Sequence, residues 1–339
     1  MNGEDIRALA RACGFELAGV AAAEPAAERG WYHQWVAAGY GGEMRYLADR
    51  RAALRDDPRN LLPSVRSVIS VGRLYHTQWP YSTGFDAGER AWISRYAWGG
   101  DYHDTVRRDL ERLNAMLRER AAEPFESKIC VDTALLLERS YARLAGLGWI
   151  GKNTCLINQQ SGSWFFLGEL LVSLEIEPRA EDQPPPDRCG TCRRCIEACP
   201  TAAIVPGGAG YAVDSRLCIS YFTIELRGAI PRDRRGGIGG HIFGCDIGQD
   251  VCPWNRRAPA TADPVFAPRH FAPALETLAA VTEEEFLSMF RGTPVTRARY
   301  AGFLRNVAIA MGNGKLEKFR APLEKLAASG DPVVAESAR

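Results

Sequence analysis

The chemistry of this chain is concentrated in its cysteines. Cys189-Gly-Thr-Cys192-Arg-Arg-Cys195-Ile-Glu-Ala-Cys199-Pro200 follows C-x2-C-x2-C-x3-C-P. This is the bacterial ferredoxin run, in which three thiolates wrap one iron–sulfur cube and the fourth reaches a second. A zinc knuckle is the competing reading, but zinc sites use two separated C-x2-C pairs or add histidine. The second half is less regular. Cys245-Asp-Ile-Gly-Gln-Asp-Val-Cys252-Pro253 has the outline of C-x2-C-x3-C-P with Gly248 in the middle cysteine's place, and Cys218 lies between the two runs. One cluster therefore takes Cys189, Cys192, Cys195 and Cys252. The other is left with Cys199, Cys218 and Cys245, one ligand short, with Asp246 and Asp250 the nearest carboxylates in sequence.

Other chemical residues are read against plainer roles. Gly146-Leu-Gly148-Trp-Ile-Gly151 matches G-x-G-x-x-G, but a dinucleotide fingerprint follows a strand and opens a helix. Here a helix-like segment precedes it and a strand-like Thr154-Cys-Leu-Ile follows, so the glycines fit a close approach of backbone to a flat ligand. Asp132 ends a strand-like run and reads first as a helix N-cap; a catalytic acid there would need its pKa raised by burial. The five histidines, at 33, 76, 103, 241 and 270, show no metal-binding spacing and read as ordinary. Cys13, Cys130 and Cys155 sit in apolar contexts, as packed thiols do. Residues 216–257 hold seven Arg against four acids, with Arg227, Arg232, Arg234 and Arg235 in one Gly-rich stretch. That is usually a solvated loop, and it is also what a phosphate-tracking surface requires.

The elements that must position these groups fall into three parts, 1–180, 181–262 and 263–339, within 339 residues. In the first, Ile6, Leu9, Ala10 and Cys13 mark an amphipathic first helix, and helices are expected over 103–120 and 133–145. Arg66-Ser-Val-Ile-Ser-Val-Gly, Lys128-Ile-Cys-Val and a run from Trp164 read as buried strands. The alternation predicts an α/β sandwich. Pro184-Pro-Pro marks a linker into the cysteine segment, and the last part reads as two short helices resembling one HEAT-type repeat, which must pack on what precedes it. With 42 Lys and Arg against 41 Asp and Glu, global charge argues neither for nor against nucleic acid. The charged start and the lack of a long apolar run argue against a signal peptide or a membrane span. Clustered cysteines in a chain without export features suggest metal ligation in a reducing cytoplasm.

Several blocks then resemble one family, in order along nearly the whole chain. They include Asp57-Pro-Arg-Asn-Leu-Leu-Pro-Ser-Val-Arg-Ser-Val-Ile, Ser94-Arg-Tyr-Ala-Trp-Gly-Gly-Asp-Tyr-His and Val131-Asp-Thr-Ala-Leu-Leu-Leu-Glu. Ala145-Gly-Leu-Gly-Trp-Ile-Gly-Lys-Asn-Thr, Gly162-Ser-Trp-Phe-Phe-Leu-Gly-Glu, Cys218-Ile-Ser-Tyr-Phe-Thr-Ile-Glu-Leu-Arg-Gly and Cys252-Pro-Trp-Asn complete the set. They resemble the cobalamin-dependent epoxyqueuosine reductases.

The resemblance implies a cobalamin-binding, nitroreductase-like α/β domain, a ferredoxin-like domain with two [4Fe-4S] clusters and a helical C-terminal repeat. It also implies the reaction: an epoxide on a tRNA wobble nucleotide loses its oxygen to give queuosine. On this reading the partners are tRNA with queuosine-type anticodons and an external low-potential electron donor, and the protein is a cytoplasmic monomer. Asp132 matches the family's proton donor. Arg95, Asp132, Lys152, Asn153, Thr154 and Glu225 match positions expected to line the corrin pocket. Gly248 departs from the family's cysteine.

Three alternatives remain. A reductive dehalogenase shares the cofactors but carries a twin-arginine export signal, and none is seen. A ferredoxin-like carrier needs no α/β domain ahead of its clusters. A tRNA-binding module that had lost cobalamin would keep only a structural cluster.

Overall fold

The computed structural model describes residues 1–85, 88–208 and 210–339. Its centre is a four-stranded sheet ordered Leu17–Ala22, Ser67–Leu74, Phe165–Val172, Ser127–Cys130, with every neighbouring pair antiparallel. Ser67–Leu74 is buried along almost its whole length, as its β-branched run requires of a strand covered on both faces.

Helices supply that cover. Gly3–Ala12 opens with a capping box between Asn2 and Asp5 and buries Ile6, Leu9 and Ala10. Tyr102–Arg120 lays Val106, Leu110, Leu113 and Leu117, each 0% exposed, on the same face. Each of those side chains contributes about 1.5–3 kcal/mol on burial. Gly168 permits the close packing, since a Cβ there would meet Val106 Cγ1 at 2.7 Å. Glu138–Leu144 packs on the opposite face of the sheet.

The expected alternation is present, with one shift. The second helix begins at Glu138 rather than near residue 133, which leaves 132–137 as an irregular segment over the sheet.

The C-terminal core does not respect the boundary at residue 180. Ala91, Trp92, Ile93 and Trp98 share one apolar cluster with Ile242, Phe243, Phe286, Phe290 and Phe303. Trp92–Ile93 also pairs in parallel with His241–Phe243. The middle of helix Arg299–Gly314, from Gly302 to Met311, is wholly buried. Arg305, 1% exposed, donates to Leu226 O and Gly228 O, both at 2.7 Å, and to Phe222 O. Asn306 donates to Thr223 O and Ile242 O, both at 2.8 Å. Two polar side chains thus pin the π-helical turn Tyr221–Glu225 to the last helices. No described helix is long and apolar enough to cross a membrane.

Candidate functional site

A cavity of about 1480 Å³ opens between the irregular segment 132–137, the helix Arg29–Ala37, the strand-flanked loop 149–154 and the hairpin Ile204–Val213. Asp132 is on its wall with φ +45. Non-glycine residues rarely hold that conformation, and it persists only where the surroundings enforce it. The N-cap reading of Asp132 fails, because the residue capping Glu138–Leu144 is Leu137, with no side-chain cap bond. The carboxylate is free to face the cavity.

His103 holds it there. His103 Nε2 lies 3.0 Å from Asp132 Oδ2, and Nδ1 lies 2.7 Å from Asp101 Oδ1. Asp101 is also the N-cap of Tyr102–Arg120, accepting from His103 N at 3.0 Å. Burial disfavours the imidazolium, but hydrogen bonds and charge from Asp101 and Asp132 outweigh it and raise His103 to about 9. The same logic runs in reverse at Asp132. Burial pushes its carboxyl up, and the His103 bond and charge, Tyr102 and Arg297 together bring it below the usual carboxylate range. At neutral pH the proton of this pair therefore rests on His103, with the Asp132 carboxylate at the cavity wall. The condition set for a catalytic acid, a carboxyl raised by burial, is not met at Asp132 itself, and the reading of His103 as ordinary is corrected.

Glu138 lines the cavity beside Asp132. Burial first, then the Asp132 charge, pushes it up to about 8. Across the opening, Arg297 pairs with Glu225 at 2.8 Å and donates to Tyr46 Oη at 3.3 Å. Sequence reading missed Tyr102, His103, Glu138 and Arg297. The one signal within reach was Asp101-Tyr-His103 at a helix start.

The residues expected around the cavity divide into two groups. Lys152, Thr154, Glu225 and Asp132 line it. Arg95 does not: 2% exposed, it donates to Thr77 O, Thr77 Oγ1, Trp79 O and Pro80 O at 2.8–2.9 Å, with its guanidinium 4.4 Å from the Trp98 ring centroid. Its role is to tie down the loop 77–80. Asn153 sits behind the wall, donating to Gly248 O at 3.2 Å.

All ten cysteines are free thiols. Cys195 is within electrostatic reach of Cys252, Cys189 and Cys192, whereas Cys245 neighbours Cys218 and Cys199. The two sets match the division that the spacing predicts. Among the described residues no three Cys, His, Asp or Glu converge on a point that would suit one metal ion. Ligands of a cube bind separate irons, and the C-x2-C-x2-C-x3-C-P run is of the kind that serves them. Trp149 and Ile157 pack on Cys252 and Cys189, and Lys152 Nζ donates to Gly190 O at 2.6 Å and Cys192 O at 3.0 Å. Trp149 and Lys152 also line the cavity, so the first set lies directly behind its wall.

The cavity fits a large, amide-fringed ligand such as a corrin. Its lining residues Glu28, Arg55, Glu138 and Arg143 each carry a buried polar atom without a partner. Donors and acceptors of that kind match carboxamide side chains.

The arginine stretch is a helix, Arg232–Ile238, and not a loop. Arg235 pairs with Glu336 and donates to Ile230 O at 3.0 Å, and Arg232 Nε reaches Glu336 Oε1 at 3.2 Å. Arg234 pairs with Asp233 at 3.1 Å, and Arg227 donates to Arg297 O at 2.9 Å. Arg227 and Arg232 are exposed.

Known proteins were compared with the chain. Residues 188–255 match a family model described as a 4Fe-4S double cluster binding domain, and residues 55–133 match one described as epoxyqueuosine reductase QueG, DUF1730. An epoxyqueuosine reductase of Xanthomonas campestris is 42% identical over 313 residues, covering 91% of this chain and 86% of that protein. A crystal structure of epoxyqueuosine reductase with an epoxyqueuosine-modified tRNA-Tyr stem loop superposes with a TM-score of 0.87 at 28% identity, covering 99% of this chain and 88% of the other. An epoxyqueuosine reductase from Bacillus subtilis, solved with its catalytic aspartate loop swung out of the active site, gives 0.85 at 27% identity with the same coverage.

Proposed function

The chain belongs to the epoxyqueuosine reductase family, and from that premise we propose how its site reduces epoxyqueuosine to queuosine at the wobble position of tRNA. The observation that carries the reading is Asp132, held at the cavity wall by a protonated His103, with the first cysteine set directly behind the same wall.

Removing the epoxide oxygen breaks two C–O bonds, forms one C=C bond and releases water, at a cost of two electrons and two protons. Lys152, Thr154 and Glu225 would hold cobalamin in the cavity, where it would supply low-potential metal chemistry. The two cysteine sets would hold the [4Fe-4S] clusters, which would supply one-electron transfer, with an external low-potential donor as the proposed source. Proton delivery falls to the protein. His103 Nε2, which Asp101 keeps oriented, passes its proton through Asp132 Oδ2 to the departing oxygen, and the second proton enters from solvent through the same pair. Support for a moving Asp132 comes from its strained φ and from the Bacillus subtilis relative, whose catalytic aspartate loop can leave its site. Purified protein, loaded with cobalamin and reduced, should convert epoxyqueuosine in tRNA to queuosine, read by mass analysis of nucleosides. Accumulation of unconverted epoxide would defeat the assignment.

Four arginines, Arg227, Arg232, Arg234 and Arg235, are proposed to grip tRNA phosphates, with Arg235 also anchoring Glu336. Reversing Arg234 to Glu, which leaves the pairs of Arg232 and Arg235 with Glu336 in place, should weaken tRNA binding and flatten its salt dependence. Unchanged affinity would remove this surface from the interface.

The finer architecture is proposed on the same footing: a nitroreductase-like fold for 1–180, a ferredoxin-like unit at 181–262 and one HEAT-type repeat within 263–339. Contacts among Arg299–Gly314, Arg320–Ala327 and Pro332–Ser337 support the last.

A further inference from the structure

The ferredoxin pattern assigns positions 245 and 248 to one cube and 252 to the other. The structure places the flanking thiols accordingly, with Cys245 and Cys218 packed on one apolar cluster and Cys252 and Cys189 on another. Position 248 is therefore where the second cube's fourth thiolate belongs, and Gly248 has none to give.

Most nearby donors are committed elsewhere, and one carboxylate oxygen is not. Asp246, 1% exposed, accepts from Trp92 Nε1 at 3.2 Å, Arg95 N at 2.8 Å and Ser94 Oγ. Asp250 Oδ2 accepts from Thr83 N at 3.2 Å and from Ser82 Oγ, while its Oδ1 is buried without a partner. Asn153, the residue nearest the empty position, has both ends of its amide in use. Nδ2 donates to Gly248 O at 3.2 Å, and Oδ1 accepts from Cys155 N at 3.2 Å. Cys155 lies within reach of Cys252 and Cys195, which belong to the first set.

We propose that the second cluster is held by Cys199, Cys218 and Cys245 alone, and that its fourth iron, beside Gly248, binds a small monodentate donor from solution. Gly248 is partly exposed, so solvent reaches the position. A side chain would also fit there, since a Cβ would meet only Asn153 Cβ at 3.6 Å, an ordinary contact. The space is built for a ligand that the chain does not provide. An iron held by three sulfides and an exchangeable ligand is the one most easily lost.

The inference rests on reading 188–255 as a double-cluster segment, and the test separates the two. Protein reconstituted without oxygen is treated with ferricyanide and examined by electron paramagnetic resonance beside iron analysis. The open cube should give one electron to ferricyanide and one Fe²⁺ to solution, leaving an oxidised three-iron cluster with its own signal. The first cluster should stay intact. Ferrous iron with reductant should restore the cube, and 2-mercaptoethanol should perturb its spectrum. Gly248→Cys should abolish both the iron loss and the thiol effect, while Cys155→Ser should behave as the unmodified protein does. Two oxidation-resistant cubes in the unmodified protein would overturn the proposal, and a three-iron signal appearing only in Cys155→Ser or only in Asp250→Asn would name that residue as the ligand. A chain that takes up no iron in any variant would sink the double-cluster reading itself.

Discussion

Asp132→Asn is expected to lower turnover by about 10²–10⁴-fold, the usual worth of a positioned proton donor, with cobalamin still bound. Asn tolerates positive φ, so the segment 132–137 keeps its course, and the loss can be assigned to the carboxylate. The change also strips His103 of one of its two acidic partners. In the native protein His103 is raised from 6.5 to about 9. The stability it contributes is therefore complete below about pH 6.5 and lost as pH rises through about 9. Asp132 is depressed, so its share is present above its ordinary value and lost only as pH falls through the lowered one. Between these limits the ion pair stands. Single-turnover rates of the native enzyme should fall along an alkaline limb near pH 9, and in Asp132→Asn the residual limb should move to lower pH. Full turnover in the variant, with the native pH profile, would leave Asp132 without a chemical role.

Arg305→Met is expected to destabilise the fold by about 3–5 kcal/mol, because three buried carbonyls lose a charged donor and each such loss costs about 1–3 kcal/mol. Met fills much of the volume, so the effect reports hydrogen bonds more than a cavity. The guanidinium is lowered to about 10 by burial first and Arg227 second, and it stays charged at neutral pH. Arg305→Lys keeps a charge but not the planar fork that meets three acceptors, so it should lie between the two. The denaturant midpoint measures this. Cobalamin affinity should fall as well, since the turn that Arg305 anchors ends in Glu225 on the cavity wall. A native midpoint in Arg305→Met would mean that the carbonyls find other donors.

Much of this was legible in local pattern. The buried strands around Ser67 and Phe165, the first helix and the helix from Tyr102 follow from periodicity, because each is decided by which residues must leave water. The separation of the cysteines into two sets was legible because ligand spacing is itself local. What was not legible depends on distant contacts. Nothing near His103 in sequence announces that Asp132 will sit across from it, and a lone histidine carries no spacing signal. Arg95 looked like a pocket residue because it lies in a block shared with the family, yet its guanidinium closes a loop of carbonyls. The arginines at 232–235 read as a loop because of the glycines around them. Their ion pairs with Glu336, a hundred residues on, make that segment a helix docked on the C-terminal end.

That the core joins Ala91–Trp98 to residues beyond 280 gives the protein an order of assembly. A ribosome adding about 5–20 residues per second finishes the last cluster cysteine, Cys252, before it makes the helix Arg299–Gly314 that fixes the turn following Cys218. For on the order of 3–12 s at that pace, all seven thiols are in the chain while the core that closes over them is incomplete. Iron and sulfide can enter during that interval without having to unfold anything. Once Arg305 and Asn306 reach their carbonyls, the turn after Cys218 is fixed, and a cluster assembled later must form on thiols already held in place.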